Sequence, residues 1–440
     1  MLLTQVPSYF KARRDALANA NPGAAFIFPS SAEVLRNPDV HHPFRQESNF
    51  YYLSGFEEPE AWLVLAPQKS KPGTYRSVLF VRKRDPEMEI WEGERYGVEG
   101  ALKVFGVDEA YLTSQFDEKI VDLLQGCDRV YYRLGQSEVL DRQVQAGLEK
   151  VRRTQGRAGK ALLSVADPQE LIGEMRLFKS SEEIALLRKA CEITSEAHKT
   201  AMREVRPGMN EYEIEALIDY TFRRKGCARV GYGSIVAGGK NATCLHYRAN
   251  NEVLRDGELL LVDAGGEYGY YTADITRTFP VGRNFTDAQA QIYDLVLKSQ
   301  KETIAISKPG TPWNAIHKRA TEVLVDGLLS LGLLKGKAEE ILRTSEMRRF
   351  YPHGTGHWLG MDVHDVGLYQ KNGEPRKLEP GMVFTIEPGL YMQPTDRAVP
   401  ERFKNIGIRI EDNILITKDG CDILTKDAPK ERAEIESLKS

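Results

Sequence analysis

The sequence has few cysteines and few histidines. Its 440 residues include five cysteines and eight histidines. The cysteines are scattered, odd in number and never spaced as a C-x-x-C pair; they are Cys127, Cys191, Cys227, Cys244 and Cys421. This usage argues against a disulfide framework and against a zinc finger. It favours reduced thiols in the cytoplasm.

The chain also lacks an excess of either charge. Its 60 basic and 63 acidic residues give a formal net charge of −3, whereas nucleic-acid binding needs a clustered basic excess. No uninterrupted apolar run approaches the ~18 residues that a membrane helix requires. Residues 1–18 lack the apolar stretch and cleavage site of a signal peptide. We therefore expect a protein that binds neither nucleic acid nor membrane.

The length predicts two or three domains at roughly 150 residues each. Residues 1–176 alternate β-branched runs with helical patterns, which predicts an α/β N-terminal domain. The strand-like runs are Ala25–Phe28, Trp62–Ala66, Ser77–Arg82 and Arg129–Arg133, and the helical patterns lie near 7–20, 114–125 and 137–154. His41 and His42 precede a proline, and we expect a plain surface or turn role for them. Residues 177–440 form the second predicted domain.

The second domain carries a weak internal repeat. Ser180-x-x-Glu183 is a capping box that predicts the start of a helix. One helix ends at Pro207-Gly208 and another begins at Asn210; a helix also ends at Pro309-Gly310 and another begins near 311–313. Each half continues into two strand-like runs, Leu259–Ala264 with Ala273–Phe279 and Met382–Glu387 with Gly407–Ile416. The pattern favours a duplicated helix–helix–hairpin unit with pseudo-twofold symmetry; chance recurrence of Pro-Gly is the alternative.

Four carboxylates lie within or beside these apolar runs. A hairpin would bring Asp263 and Asp274 together, and the second half places Glu387 and Glu411 in the same way. Buried carboxylates must be paired or must coordinate a cation, because desolvation of the charge is costly. A single one beside an arginine, such as Glu411 beside Arg409, is most often a salt bridge. Arg409 lies two positions before Glu411 and therefore points to the same face of the strand.

Four converging carboxylates would repel one another strongly without cations. Two divalent ions would balance their charge, and a bridging hydroxide would complete the site. An oxygen-rich donor set with one histidine suits Mn²⁺ or another hard ion better than thiolate-type zinc. Paired ions roughly 3.5–4 Å apart can generate a nucleophilic hydroxide and polarise a carbonyl. The pattern therefore predicts metal-assisted amide hydrolysis.

Histidines accompany the second pair of carboxylates. His353, His357 and His364 lie in YPHGTGHWLGMDVHDVG, and His246 lies in CLHY. The spacing of the first two resembles the zincin motif, but that motif needs a glutamate after its first histidine and lies on a helix. The glycines of this segment favour a loop or strand end instead. His198 and His317 lie in helical patterns, and we expect ordinary surface or core roles for both.

Nearly the whole chain resembles the creatinase-like metallopeptidases with the pita-bread fold, and among them the bacterial aminopeptidase P (Xaa-Pro aminopeptidase) group. The first-domain motifs are RQESNFYYLSGFEEPEAWLVL and EIWEGERYG. Those of the second domain are EMRLFKSSEEI, LLLVDAGGEY, ADITRTFPV, HGTGHWLGMDVHDVG, EPGMVFTIEPGLY and GIRIEDN. The resemblance implies an α/β N-terminal domain followed by an α+β pseudosymmetric pita-bread catalytic domain.

The resemblance also implies roles for individual residues. Asp263 would bind one manganese ion, His357 and Glu387 would bind the other, and Asp274 and Glu411 would bridge the two. The residue that matches Glu387 also carries a proton from the bridging water to the leaving nitrogen. His246 would face the substrate, His364 would hold the scissile carbonyl or its oxyanion, and His353 would be a further cleft histidine. Arg409 would orient the carboxylates from behind.

The implied reaction removes an N-terminal residue that precedes proline. The Xaa-Pro bond is a tertiary amide without N–H, so it needs a cleft shaped for the pyrrolidine ring. Apolar candidates for that cleft are Tyr232, Trp358 and Tyr391. The tryptophan that matches Trp91 reaches a neighbouring subunit's cleft in relatives, which implies a homo-oligomer, either a tetramer or a dimer.

Three other functions compete with this prediction. The nearest alternative is prolidase, which cleaves free Xaa-Pro dipeptides. Thr355-Gly356 stands where many bacterial aminopeptidases P have Leu-Ser, and prolidases often have Leu-Gly at these two positions. Trp358-Leu-Gly-Met-Asp and EIWEGERYG favour aminopeptidase P. A non-catalytic pita-bread binding protein and creatinase-type hydrolysis are disfavoured, because all five ligand-type residues are present.

Overall fold

The computed structural model describes residues 5–68, 71, 73–155, 164–344 and 346–439. The chain divides into two compact units, Met1–Ile172 and Gly173–Ser440. The division lies inside a helix that continues to Leu177, whereas the sequence predicts a boundary after residue 176. No helix among the described residues is long and apolar enough to cross a membrane.

The first unit is an α/β structure, as predicted. Its strands are β1 (Ala24–Pro29), β2 (Leu35–Asn37), β3 (Val40–His41), β4 (Trp62–Pro67), β5 (Tyr75–Val81), β6 (Glu109–Leu112), β7 (Arg129–Tyr131) and β8 (Ser164–Ala166). Its helices are α1 (Tyr9–Asn19), α2 (Ser48–Ser54), α3 (Pro86–Glu92), α4 (Gly97–Phe105), α5 (Phe116–Leu124) and α6 (Glu138–Gln155), with a 3₁₀ turn at Thr113–Gln115. The four predicted strands and three predicted helices of this unit are confirmed.

Six strands of the first unit form one sheet in the order β6-β5-β4-β1-β7-β8. The central strands β1, β4 and β5 pair antiparallel, and the outer pairs are parallel. The sheet buries an apolar cluster against α5 and α6, which includes Trp62 stacked on Phe116. The small β2–β3 hairpin is exposed and carries His41, in agreement with the plain surface role that we expected.

The second unit contains both halves of the predicted repeat. Its helices are α7 (Gln169–Leu177), which contains the division, α8 (Ser181–Glu204), α9 (Glu211–Arg224), α10 (Asp287–Ile306), α11 (Trp313–Ser330), α12 (Ala338–Thr344) and α13 (Arg432–Ser437). Short 3₁₀ turns occur at Gly239–Thr243, Glu346–Arg349 and Glu401–Phe403. Ser180 and Glu183 form the predicted reciprocal capping box at the start of α8. α8 with α9 and α10 with α11 are the two predicted helix pairs.

The strands of the second unit are short. They are β9 (Arg229–Val230), β10 (Ile235–Gly238), β11 (Leu259–Ala264), β12 (Gly266–Tyr268), β13 (Tyr271–Thr272), β14 (Ile275–Pro280), β15 (Gln370–Lys371), β16 (Glu374–Pro375), β17 (Val383–Ile386), β18 (Gly389–Tyr391), β19 (Gly407–Arg409), β20 (Asp412–Ile416) and β21 (Cys421–Ile423). β11 pairs antiparallel with β14, and β17 pairs antiparallel with β20. The two predicted hairpins are thereby confirmed, although the second one is interrupted, since β18 and β19 form a separate pair.

One large apolar core underlies the hairpins. It draws side chains from α8, α9, α10 and α11 and from the apolar positions of β11 and β19. Residues of one face of β11, such as Leu260 and Val262, enter this core, while Asp263 lies at the next position, on the other face. The alternation of the strand therefore turns this carboxylate away from the apolar core.

Candidate active site

A cleft of about 770 Å³ in the second unit gathers most of the predicted site residues. Its lining includes four carboxylates and four histidines, namely Asp263, Asp274, Glu387, Glu411, His246, His353, His357 and His364. Arg409 and Tyr232 also line it. Of the predicted site residues, all five metal-ligand candidates and all four cleft histidines therefore meet in one place.

The first hairpin contributes two of the carboxylates. Asp263 belongs to β11 and lies opposite Thr276, and Asp274 immediately precedes β14. Between them the chain turns back closely, because a Cβ at Gly265 would lie 1.8 Å from the carbonyl oxygen of Ala273. A glycine at that position is therefore what allows the two acidic residues to approach each other.

The second hairpin contributes the other two carboxylates. Glu387 directly follows β17, and Glu411 lies between β19 and β20. The Thr276 hydroxyl donates to Glu411 Oε2 at 2.6 Å, and the Glu411 main-chain N–H donates to the Thr276 carbonyl oxygen at 3.1 Å. These two bonds join the hairpins, so the four carboxylates converge.

His357 is oriented from both of its ring nitrogens. Its Nδ1 atom lies 3.1 Å from the main-chain oxygen of Trp358, and its Nε2 atom lies 3.3 Å from Asp274 and 3.6 Å from Glu387. A proton on Nδ1 directed at a carbonyl leaves Nε2 for a metal ion, which is the usual arrangement of a ligand histidine. Gly356 makes this position possible, because a Cβ there would lie 1.9 Å from the Thr385 carbonyl oxygen.

The electrostatics of these residues fit a cation site. Burial raises the pKa of Asp274, raises that of Glu387 to about 7 and raises that of Glu411 well above the usual range. Burial alone would lower the pKa of His357, but Asp274 and Glu387 together hold it at about 9. Ligand atoms of Asp274, His357 and Glu411 all lie within 4.8 Å of one another. A divalent ion at this point would offset the repulsion that the buried carboxylates otherwise face.

Arg409 contacts the carboxylate cluster through Asp263 and Thr276. Its Nη2 atom bonds Asp263 Oδ2 at 2.5 Å, and its Nε atom donates to the Thr276 hydroxyl at 3.1 Å. The alternative of a salt bridge with Glu411 is thus replaced by a pair with Asp263, and the hydroxyl of Thr276 lies between Arg409 and Glu411. The same-face prediction for the arginine and the glutamate is confirmed, since both contact Thr276.

The remaining histidines occupy distinct places in the cleft. His353 Nε2 lies 2.8 Å from the Tyr391 hydroxyl, and burial lowers the pKa of this histidine to about 3. His364 is exposed, with its ring centroid 4.4 Å from that of His357. Partial burial of its ring and the neighbouring His357 lower the pKa of His364. His246 is also exposed to the cleft.

The loop that carries His364 is anchored by a buried ion cluster. Asp365 accepts from Arg176 Nη2 at 2.5 Å and from Lys179 Nζ at 3.1 Å, and the three side chains are almost fully buried. Arg176 also bonds Asp362 at 2.7 Å. The ion pairs of Asp362 and Asp365, which precede and follow His364 in the sequence, therefore fix the position of this histidine.

Two of the three aromatic residues expected to line the cleft of their own chain, Trp358 and Tyr391, do not do so. Trp358 is fully buried and packs on Trp313, Tyr369 and Phe384, so it is a core residue. Tyr391 is buried behind His353 and accepts a hydrogen bond from Arg409 Nη1 at 2.9 Å. Trp91 belongs to α3 of the first unit and is 84% exposed.

Tyr232 does line the cleft, but through its hydroxyl group rather than only its apolar ring. The hydroxyl oxygen lies 2.5 Å from Asp263 Oδ1 and also contacts Asp274 Oδ1. One hydroxyl proton can serve only one of the two carboxylates at a time. This contact is a further sign of excess negative charge at this point.

Two functional residues, Asn413 and Thr276, were not predicted from the sequence. Asn413 is fully buried and bonds the main chain of Asp274 through both ends of its amide. The sequence did contain a signal for them. Thr276 lies two positions after Asp274, and Asn413 lies two positions after Glu411, so each shares the strand face of a ligand candidate. Two helical histidines have ordinary contacts: His198 is buried against the Ala264 carbonyl oxygen, and His317 bonds the Thr355 hydroxyl at 2.9 Å.

Comparison with known proteins agrees with this geometry. Residues 185–418 match metallopeptidase family M24, and residues 10–131 match the aminopeptidase P N-terminal domain. The chain is 46% identical, over 98% of its length and 97% of the relative's, to the Xaa-Pro aminopeptidase of Escherichia coli strain K12. The chain belongs to metallopeptidase family M24. Its two-part architecture is thus an aminopeptidase P N-terminal domain followed by the pita-bread catalytic domain of that family.

Solved structures of aminopeptidases are also similar to this M24 chain. The Pseudomonas aeruginosa aminopeptidase PepP superposes with a TM-score of 0.94 at 42% identity, covering 99% of this chain and 98% of its own. A zinc-substituted Escherichia coli aminopeptidase P in complex with product gives 0.94 at 45% identity, with the same coverage. Both the N-terminal and the catalytic domain are therefore included in the match.

Proposed function

We propose that this chain is an Xaa-Pro aminopeptidase, a metal-dependent hydrolase that cleaves the bond between an N-terminal residue and a following proline. One observation carries the proposal: five ligand-type side chains converge in one cleft of an M24 chain that covers almost all of a relative named for this activity. Peptides with proline in the second position are its substrates.

The residues that would hold the metal ions are Asp263, Asp274, His357, Glu387 and Glu411. Divalent ions bound there supply Lewis-acid polarisation of a carbonyl and a lowered pKa for a water molecule. An oxygen-rich donor set with one imidazole supports Mn²⁺ as the preferred ion. Arg409 holds Asp263 in place from the protein side.

The protein's own groups then move the proton and hold the substrate. The nitrogen that leaves from an Xaa-Pro bond carries no hydrogen, so it must receive a proton as the bond breaks. Glu387 lies in the carboxylate cluster with its Oε1 atom 3.6 Å from His357 Nε2, so it is placed to accept a proton and to pass it on. His364 can donate a hydrogen bond to the scissile carbonyl oxygen, and His246 and His353 line the substrate's path.

Quaternary structure and location are part of the same proposal. Trp91 and its neighbour Ile90 are 84% and 82% exposed, and an exposed apolar pair of this size fits a contact with a second subunit. We infer a homo-oligomer, either a tetramer or a dimer. Cys191, Cys227, Cys244 and Cys421 form no disulfide, which supports a reducing compartment such as the cytoplasm.

A two-substrate assay tests the function. Purified protein, stripped by chelation and reloaded with Mn²⁺, is given an Xaa-Pro-Yaa tripeptide and the matching free Xaa-Pro dipeptide, while its metal content is measured. We expect rapid release of Xaa from the tripeptide, and activity that returns when two ions are bound per subunit. An inert tripeptide with rapid dipeptide cleavage would make the protein a prolidase and overturn the proposal.

A further inference from the structure

A second pocket adjoins the metal cleft and has no role in the chemistry described so far. It has a volume of about 670 Å³ and lies between α11 and residues 341–343 and 347–354. His353 and Gly354 line both this pocket and the cleft. The pocket and the cleft are therefore neighbours. His353, which bonds the Tyr391 hydroxyl, lies between them.

The second pocket is basic. It has three basic side chains, Lys318, Arg343 and Arg348, against one carboxylate, Glu322. The carboxylates of the cleft are those that the proposed metal ions would neutralise, so the second pocket is the place beside the cleft that attracts a negative charge. A short peptide carries such a charge at its C-terminus.

The basic side chains of the pocket are available to a ligand. Arg343 and Arg348 are exposed, and neither has an acidic partner in the described part of the chain. Lys318 is only loosely paired with Glu322, at 3.9 Å. The floor beneath them is apolar and buried, formed by Ile341, Met347 and the ring of Tyr351. A basic rim over an apolar floor suits a peptide segment that carries a carboxylate.

The reaction itself restricts what this pocket can hold. The substrate of an aminopeptidase has a single residue before the scissile bond, so every additional residue lies on the leaving side. We propose that the second pocket binds the substrate segment downstream of proline and favours a carboxylate there, from an acidic side chain or from the free C-terminus. This inference rests on the proposed function and adds the class of peptide that the site prefers.

Amidated peptides of defined length test the preference. The two series are Ala-Pro-Ala-Xaa-amide and Ala-Pro-Ala-Ala-Xaa-amide, in which Xaa is Glu, Gln or Lys. The Gln peptides are also made as free acids, so that a C-terminal carboxylate can be compared with a side-chain carboxylate. In at least one series we expect kcat/KM for the Glu peptide to exceed that for the Lys peptide by roughly tenfold. The difference should lie mainly in KM, because the contacts to the downstream segment are the same in the bound substrate and in the transition state.

Charge reversal links the preference to the pocket. The double variant Arg343→Glu/Arg348→Glu should invert the Glu-to-Lys ratio. The control Arg283→Glu/Lys335→Glu changes the net charge equally, at exposed positions that line neither space, and should keep the wild-type ratio. Because each ratio is taken within one protein, an overall loss of activity or stability cancels.

Failure of this inference is distinguishable from failure of the proposed function. Wild-type protein that does not hydrolyse Ala-Pro-Ala-amide refutes the Xaa-Pro aminopeptidase assignment. Wild-type protein that hydrolyses it but shows no dependence on tail charge refutes the pocket inference alone. Equal shifts in the two double variants would also overturn it, because they would show a general field effect instead of binding in the pocket.

Discussion

The side-chain amide of Asn413 hydrogen bonds both main-chain groups of Asp274. Its Oδ1 atom accepts the Asp274 N–H at 3.0 Å, and its Nδ2 atom donates to the Asp274 carbonyl oxygen. The two residues are 139 positions apart and belong to the two different hairpins. One buried amide therefore fixes the backbone of a proposed bridging ligand against the opposite half of the domain.

Asn413→Ala is expected to weaken metal binding as well as stability. The loss of the two bonds to Asp274 and of a weaker one from the Cys191 thiol should lower the free energy of unfolding by about 2 kcal/mol, and Mn²⁺ should dissociate more readily in competition with a chelator. Asn250→Gly is the matched control, since Asn250 bonds Val236 N–H and the Ser234 carbonyl in the same way. Glycine suits its φ of 44°. Equal metal affinity in the two variants would show that Asn413 is purely structural.

Asp274→Ala should remove both metal and activity and leave the fold intact. The variant loses a proposed ligand, but it also relieves a repulsion that, after burial, contributes to the raised pKa of Glu411. In chelator, its melting temperature should therefore equal or exceed that of wild type. Added Mn²⁺ should stabilise only the wild type. Calorimetry with and without metal, beside metal analysis, checks this; a variant that keeps full activity after exhaustive chelation contradicts the metal proposal.

His364→Ala is expected to lower turnover far more than metal content. The histidine is exposed in the cleft and contacts His357 only through its ring, so its loss should remove a hydrogen bond to the substrate. We expect turnover to fall by about a hundredfold or more, in the range found for lost oxyanion donors. His357→Ala is the comparison and should lose metal. If both variants lose metal equally, His364 is a ligand.

Asp365→Asn should destabilise the fold and also reduce turnover. The substitution removes the charge that the buried Lys179 faces and one of the two carboxylates that bond Arg176, and breaking such a buried pair costs about 3–5 kcal/mol. The loop that carries His364 loses its anchor at the same time. Asp362→Asn, at a carboxylate whose side chain is 36% exposed, should cost much less. Urea unfolding and the turnover rates of both variants test this; similar losses would argue against the anchor.

The buried His198 should make the fold sensitive to acid. Burial lowers its pKa from 6.5 to about 4 in the folded chain. Between these pH values the unfolded chain binds a proton that the folded chain does not, so the free energy of unfolding falls as the pH falls, by ~3 kcal/mol in total. His198→Gln should flatten this part of the stability curve, measured by urea unfolding from pH 7 to pH 4. An unchanged slope would contradict the shift.

Much of the fold was predictable because its signals are local. The capping box at Ser180, the Pro-Gly helix ends and the alternation of β11 depend only on neighbours in the sequence. The candidate ligands were also recognisable from the sequence, since carboxylates inside apolar runs are costly unless something compensates them. The aromatic residues of the cleft were not predictable, because the sequence does not distinguish a tryptophan that packs in a core, such as Trp358, from one that lines a pocket.

The sequence by itself determined the hairpins, the helix ends and which four carboxylates and four histidines come together in the cleft. Only the tertiary structure decided their partners: Arg409 bonds Asp263, Asn413 holds Asp274, and a basic pocket lies beside the cleft. The first two of these contacts join positions more than a hundred residues apart. Their geometry depends on how two hairpins pack together, and no periodicity along the chain encodes it.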